Sequence, residues 1–197
     1  ESNDTYQILT AGIVKWVDPN GSDSNDGSEA LPYKTLQAAV NAVASTQRGV
    51  IFAKKGVYDE GSNVAGTYRV SFPAGKYCYI RAVDGPEKTV IRGGVGLGCV
   101  SMSYLGALHG FTLTGTDTSA SGSMAAFEGY KDFYTLTDCI ISNNIAGASA
   151  PVVNGGVLQR CRIEGNTFAK ALVSSVRLAS CSVSGNTCTG NDGYLLN

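Results

Sequence analysis

The sequence predicts an all-β solenoid: a single-stranded parallel β-helix with a short capping α-helix at its N-terminal side. Three observations carry that expectation. Four stretches share one template, Leu108-His-Gly-Phe-Thr-Leu-Thr-Gly-Thr116, Leu136-Thr-Asp-Cys-Ile-Ile-Ser-Asn-Asn144, Leu158-Gln-Arg-Cys-Arg-Ile-Glu-Gly-Asn166 and Leu178-Ala-Ser-Cys-Ser-Val-Ser-Gly-Asn186. They start at 108, 136, 158 and 178, hence 28, 22 and 20 residues apart, the period of a solenoid coil. Within each unit the apolar residues alternate, Cys139 then Ile141, Cys161 then Ile163, Cys181 then Val183, which is strand periodicity.

A strand this short cannot bury its apolar side alone, so the units must stack. Stacking places Phe111, Cys139, Cys161 and Cys181 in one interior column and Leu113, Ile141, Ile163 and Val183 in the next. Thr116, Asn144, Asn166 and Asn186 then share a corner, where amides in register hydrogen-bond along the axis. The cysteines read as small buried hydrophobes, because stacked side chains pointing the same way are poorly aimed for disulfides. No C-x-x-C pair marks a zinc site.

The whole chain sets bounds. Its 197 residues fit one domain of about six or seven coils. With 15 basic and 16 acidic residues, the net charge of −1 leaves no electrostatic footprint for nucleic acid or an anionic membrane. Charged residues make up only 16%, and no apolar run is long enough to span a bilayer. The composition, and a first residue other than Met, fit a secreted or cell-surface protein.

Taken in order, Ile13-Val-Lys-Trp-Val17 reads as a strand feeding the loop Asp18-Pro-Asn-Gly-Ser-Asp-Ser-Asn-Asp-Gly27. Behind a proline-marked start, Leu36, Ala39, Val40 and Val43 fall on one helical face, predicting an amphipathic helix over the open end of the solenoid. The division is residues 1–48 for the strand, loop and capping helix, and 49–197 for the coils.

These segments resemble the pectin lyase-like right-handed parallel β-helix proteins. The resemblance lies in Asn20-Gly-Ser-Asp-Ser-Asn-Asp-Gly27, Pro32-Tyr-Lys-Thr-Leu-Gln-Ala-Ala-Val40, Gly49-Val-Ile-Phe-Ala53 with Gly56-Val-Tyr58, and Asp84-Gly-Pro-Glu-Lys-Thr-Val-Ile-Arg-Gly-Gly94. Arg48-Gly49 departs from the Gly-Asp that usually opens the first coil. The resemblance implies right-handed coiling. It leaves function open, since the superfamily holds lyases, hydrolases, tailspikes, adhesins and modules without known activity.

For the candidate sites, Asp18, Asp23 and Asp26, with Asn20 and Asn25, supply oxygens for a calcium ion, although no glutamate follows at the twelfth position as in an EF-hand. Asx side chains capping turns and a helix account for the same residues without metal. No other cofactor is expected. Lyase chemistry of the resembled family needs clustered aspartates beside a Lys or Arg base. The columns here, Gly110, Asp138, Arg160, Ser180 and Thr112, Ile140, Arg162, Ser182, carry one carboxylate. They predict Asp138 beside Arg160 and Arg162 beside Glu164, read as exposed charge pairs. Hydrolysis needs two facing carboxyls, and no Asp-Asp dipeptide occurs. His109 has no Ser or Cys partner fixed by sequence. No catalytic residue is assigned.

The wide coil between Gly115 and Leu136 carries Glu128, Tyr130, Lys131 and Asp132, tyrosine beside carboxylates as for stacking on a sugar ring and accepting its hydroxyls. Those four are the expected ligand residues, with Phe127 and Phe133 filling the coil as the plainer alternative. The expected function is a carbohydrate-associated binding or structural module whose partner is a polysaccharide or glycan, with a polysaccharide lyase or glycoside hydrolase as the alternative. Past Thr187 no capping element is evident, so either further chain, Tyr194 to Leu196 folding over the end, or another subunit is expected to cover it.

Overall fold

The structure is a computed structural model that describes residues 12–45, 47–63, 65–103, 105–120, 125–129, 134–191 and 193–196. Its strands form parallel stacks, each strand pairing with the equivalent strand of the coils before and after it. The first sheet has seven strands: Ile13–Val17, Arg48–Ala53, Tyr77–Ala82, Gly106–His109, Tyr134–Thr137, Val157–Gln159 and Arg177–Ala179. The second has six: Gly56–Tyr58, Thr89–Arg92, Thr112–Thr114, Ile140–Ser142, Arg162–Glu164 and Ser182–Ser184. The third also has six: Tyr68–Phe72, Gly98–Met102, Phe127–Gly129, Val153–Asn154, Ala171–Ser174 and Tyr194–Leu196. A small fourth sheet joins Ile145–Ala146, Thr167–Phe168 and Thr187–Cys188. The coils wind as a right-handed parallel β-helix, the hand that parallel crossover connections take.

The interior is built of columns. Ile51, Ile80, Leu108, Leu136 and Leu158 line the first sheet, Ile91, Leu113, Ile141 and Ile163 the second, and Val70, Val100, Phe127 and Val153 the third, all without solvent exposure. Neighbours along a column sit one strand spacing apart, about 4.8 Å. Each aliphatic side chain therefore packs on the same kind above and below it.

Two corners repeat the same backbone solution. Between the first and second sheets, Gly110, Asp138, Arg160 and Ser180 take φ values of 75, 54, 51 and 54°. Before the ladder residues, Gly115, Asn143, Gly165 and Gly185 take 73, 53, 64 and 61°. The left-handed conformation costs a non-glycine residue roughly 1–2 kcal/mol, so tight corners at Asp138, Arg160 and Ser180 hold only because the stack fixes them.

The amide ladder forms as expected. Asn144 Nδ2 donates to Asn166 Oδ1 at 3.0 Å, and Asn166 Nδ2 to Asn186 Oδ1 at 2.9 Å. Backbone groups join the ladder too: Thr116 N donates to Asn144 Oδ1, Asn144 N to Asn166 Oδ1 and Asn166 N to Asn186 Oδ1, across 28, 22 and 20 residues. A second ladder runs through the cysteines. The thiols of Cys139, Cys161 and Cys181 donate to Thr137, Gln159 and Ala179 carbonyls at 3.3, 3.4 and 3.5 Å and also reach the Leu108, Leu136 and Leu158 carbonyls of the coil before. All six cysteines are free; Cys188 is exposed.

The helix α1, Leu36–Ala42, lies against the first strand of the third sheet, Tyr68–Phe72, and buries Leu36, Gln37, Ala39 and Val40. It starts later than the proline would have it, because 32–34 are used elsewhere: Tyr33 N donates to Trp16 O at 3.0 Å, and Asp18 N to Tyr33 O at 2.9 Å, closing the outer edge of the first strand. Thr35 caps the helix, its Oγ1 accepting from Ala38 N at 3.2 Å. Gln37 then behaves as a strand would. Its Oε1 accepts Ser71 N at 2.8 Å and its Nε2 donates to Ser71 O at 3.3 Å. Lys76 Nζ donates to the Val40, Asn41 and Val43 carbonyls at the other end of the helix. At the opposite end of the stack, Tyr194–Leu196 pairs in parallel with Ala171–Ser174, as one more rung of the third sheet.

Candidate ligand-binding site

Glu128 is the middle residue of the strand Phe127–Gly129 in the third sheet. Phe127 packs inward with Val100 and Val153, so alternation sends Glu128 to the outer face. Register then sets it in a row with Ser71 and Ser101 before it and Asn154 and Ser174 after it. The row is short and polar, with Glu128 as its one carboxylate among the described residues.

Tyr68 holds that carboxylate in place. Its phenol donates to Glu128 Oε2 across the intervening coil. The ring passes over Gly98, where a Cβ would lie 2.3 Å from Tyr68 Cε1; only glycine leaves that path open. Tyr68 is 5% exposed, and burial first, then its bond to Glu128, pushes the phenol pKa well up. Tyr68 therefore stays a hydrogen-bond donor, and the half-buried carboxylate keeps acceptor positions beyond the one it uses. At the head of the row Asn63 Nδ2 donates to Ser71 Oγ at 2.9 Å and to Thr67 Oγ1 at 3.1 Å. Of the four expected ligand residues, Glu128 is placed in this way; Tyr130, Lys131 and Asp132 lie outside the described residues.

The three aspartates expected for calcium serve three separate turns. Asp18 Oδ1 accepts from Asn20 N at 2.9 Å, and Asp26 Oδ1 from Ser28 N at 2.8 Å, a bond that holds the Asp26 pKa below the ordinary carboxylate value. Asp23 clamps the helix start: Oδ1 accepts Lys34 N and Thr35 N at 2.9 and 2.8 Å, and Oδ2 accepts Thr35 Oγ1 at 2.8 Å. Among the described residues no three His, Cys, Asp or Glu side chains converge in metal-binding geometry.

The charge pairs of the coil corners also form. Arg160 binds Asp138 through two bonds, Nε–Oδ1 at 2.8 Å and Nη2–Oδ2 at 2.7 Å, and His109 Nδ1 stands 3.5 Å from the same Oδ2. Arg162 reaches Glu164 at 3.6 Å but binds Glu87 at 2.6 Å, a partner 75 residues away that the repeat could not reveal. The Ser71–Ser174 row and Tyr68 were likewise missed from sequence. Their strands carry no shared template; the one available signal was Gly98 in a strand, which marks a close approach.

No family profile matches the chain. It is similar to a probable pectinesterase/pectinesterase inhibitor 64 of Arabidopsis thaliana, 31% identical over 155 residues, which is 72% of this chain and 24% of that protein. The chain thus spans about a quarter of that relative. A solved rhamnogalacturonan lyase aligns with 93% of this chain and 62% of its own at 16% identity, with a TM-score of 0.42. No helix among the described residues is long and apolar enough to cross a membrane. The coil repeat and the stacked parallel sheets make the chain a right-handed parallel β-helix, and the similarity to a pectinesterase supports its resemblance to the pectin lyase-like superfamily.

Proposed function

We propose that the chain is a carbohydrate-associated module, secreted or displayed at the cell surface, that binds a polysaccharide on the outer face of the third sheet without cleaving it. The observation that carries this reading is Glu128, a carboxylate fixed by Tyr68 inside a row of serines and an asparagine. Such a row offers acceptors and short donors to sugar hydroxyls, and Tyr130, Lys131 and Asp132 follow Glu128 after Gly129 in the sequence. The similarity to a protein named for pectin de-esterification supports a plant-type acidic polysaccharide as the ligand. Hydrolysis asks for two opposed carboxyls, whereas the described row presents one.

Calorimetric titration with uronate-rich and neutral polysaccharides, with and without added calcium, tests the proposal. Binding that weakens at least tenfold in Glu128→Gln, with no new reducing ends and no unsaturated product, is the expected result. Product formation from a uronate would replace this reading with the lyase or hydrolase one. Calcium-dependent binding would bring Asp18, Asp23 and Asp26 into the site.

A further inference from the structure

The two ends of the stack differ. At the N-terminal end the first strand of each of the three large sheets has its outer edge occupied. Trp16 N donates to Gly27 O at 2.8 Å and Tyr33 N to Trp16 O at 3.0 Å, which closes the strand Ile13–Val17. The ring of Pro19, a residue without an N–H, lies over Gly56 in the first strand of the second sheet, where a Cβ would come within 2.7 Å of Pro19 Cγ. Gln37 meets Ser71 in the first strand of the third sheet through both atoms of its amide. Devices of this kind keep an edge from pairing with another chain.

The C-terminal end has none of them among the described residues. Arg177–Ala179, Ser182–Ser184, Thr187–Cys188 and Tyr194–Leu196 are the last strands of their sheets, so each presents an outer row of backbone N–H and C=O groups. The interior columns are cut open at the same level. Ile163 has no exposure, whereas Val183, the next residue of its column, is 42% exposed; Cys161 is buried and Cys181 only partly. In the last strand Tyr194 and Leu195 are 55% and 57% exposed. Tyr194–Leu196 extends the third sheet by a rung instead of closing the end.

Three observations choose what covers this face. From Ser175 to Asn197 the chain has one basic residue, Arg177, and one acidic, Asp192, so two such ends meet without net repulsion. A coil of 20 residues at about 3.3 Å each has a perimeter of about 66 Å, which with its side chains gives an end face of about 700 Å². Two such faces bury about 1,400 Å² in total, within the range of stable specific interfaces. Finally, a second copy is sealed at its own N-terminal end, so the open edge it can offer is this same one. Like then meets like, and the assembly closes at two.

We propose that the chain forms a two-fold homodimer through its C-terminal coil, with Val183, Tyr194 and Leu195 buried between the copies and the open strand edges paired across the contact. Two-fold symmetry makes that pairing antiparallel, unlike the parallel pairs that the same strands make within one copy. Nothing in this contact depends on the ligand-binding role proposed above.

Sedimentation velocity of the intact chain up to submillimolar concentration, with hydrogen exchange followed by mass spectrometry at low and high concentration, tests the dimer. Expected is association that stops at twice the 20.4 kDa chain mass, with exchange slowed on association in Arg177–Cys188 and Tyr194–Leu196. Leu195→Lys, and separately Val183→Lys, weaken the dimer at least tenfold, because each places an ammonium in the contact. Val14→Lys, at an equally exposed valine of the sealed end, leaves it intact. Circular dichroism confirms the fold of each variant; Leu195 is the more exposed position, and its variant decides if Val183→Lys does not fold.

A monomer at every concentration overturns the dimer and leaves the end face to a further coil or an unrelated partner. Association that grows past two copies overturns it as well, since the sealed end would then be taking part. So does a dimer that Leu195→Lys leaves unchanged, or one whose slowed peptides lie away from the last coil.

Discussion

Replacing Asn166 by alanine tests the amide ladder at its most demanding rung. Asn166 has no solvent exposure. Its Nδ2 donates to Ile141 O at 2.8 Å, Glu164 O at 3.2 Å and Asn186 Oδ1 at 2.9 Å, while its Oδ1 accepts both Asn144 N and Asn144 Nδ2 at 3.0 Å. Alanine strands at least the Ile141 carbonyl and the Asn144 N–H without side-chain partners in the interior. Each orphaned buried group costs about 1–3 kcal/mol, so the expected loss is about 2–5 kcal/mol. In a chain of this size that lowers Tm by roughly 5–15 °C. Asn186→Ala is the control. Asn186 is half-exposed, water reaches the groups it would leave, and the expected loss is about 1 kcal/mol. Urea denaturation of both variants, read as midpoint shifts at constant slope, measures the difference. Equal losses at the two positions would refute the view that burial of the rung, and not the bonds as such, sets its worth.

Three further outcomes follow from the geometry. Gln37→Ala exposes the Ser71 edge that the side-chain amide closes, with an expected loss of about 1–3 kcal/mol by the same denaturation assay; a neutral result would mean that the helix alone seals the edge. The Arg160 guanidinium holds the Asp138 carboxyl below its ordinary 3.8, so this pair stabilises the fold fully above pH 3.8 and loses that contribution as pH falls through the lower folded value. With both side chains more than a third exposed the effect is under about 1 kcal/mol, and Arg160→Gln removes it from the acid limb of a stability–pH curve. Burial pushes the Cys78 and Cys99 thiols up to about 11, so at pH 8 a thiol reagent labels exposed Cys188 first, and those two only after unfolding, as mass spectrometry of labelled peptides would show.

Much of this architecture was legible because a solenoid writes its register into its period. Cys139, Cys161 and Cys181 and the asparagines after them repeat at coil spacing, so neighbours in space were neighbours in the template. Asp138 beside Arg160 could be read from two corner positions for the same reason. The third sheet escaped that logic: Tyr68, Ser101, Glu128 and Asn154 belong to strands joined by connections of unequal length, with no common motif to align them. The bond between Glu87 and Arg162 was hidden for another reason, since two long side chains cross more than one coil to meet. The Asp-rich loop was ambiguous in principle. Asp23 accepting Thr35 N and a metal-bound aspartate ask for the same residue type in the same kind of turn.

Coil length has a consequence for how such a chain can change. Successive ladder residues are 28, 22 and 20 residues apart, yet they occupy equivalent corners. Closing a loop of 28 residues in place of 20 costs only about 0.3 kcal/mol of chain entropy, from the logarithmic dependence on length. The rung itself, worth several times more, is untouched. A coil can therefore acquire eight residues between its strands almost without penalty, and every rung above and below folds as before. Novelty in this scaffold enters by lengthening one turn at a time, and the segment that carries Glu128 sits in the coil where that lengthening has already happened.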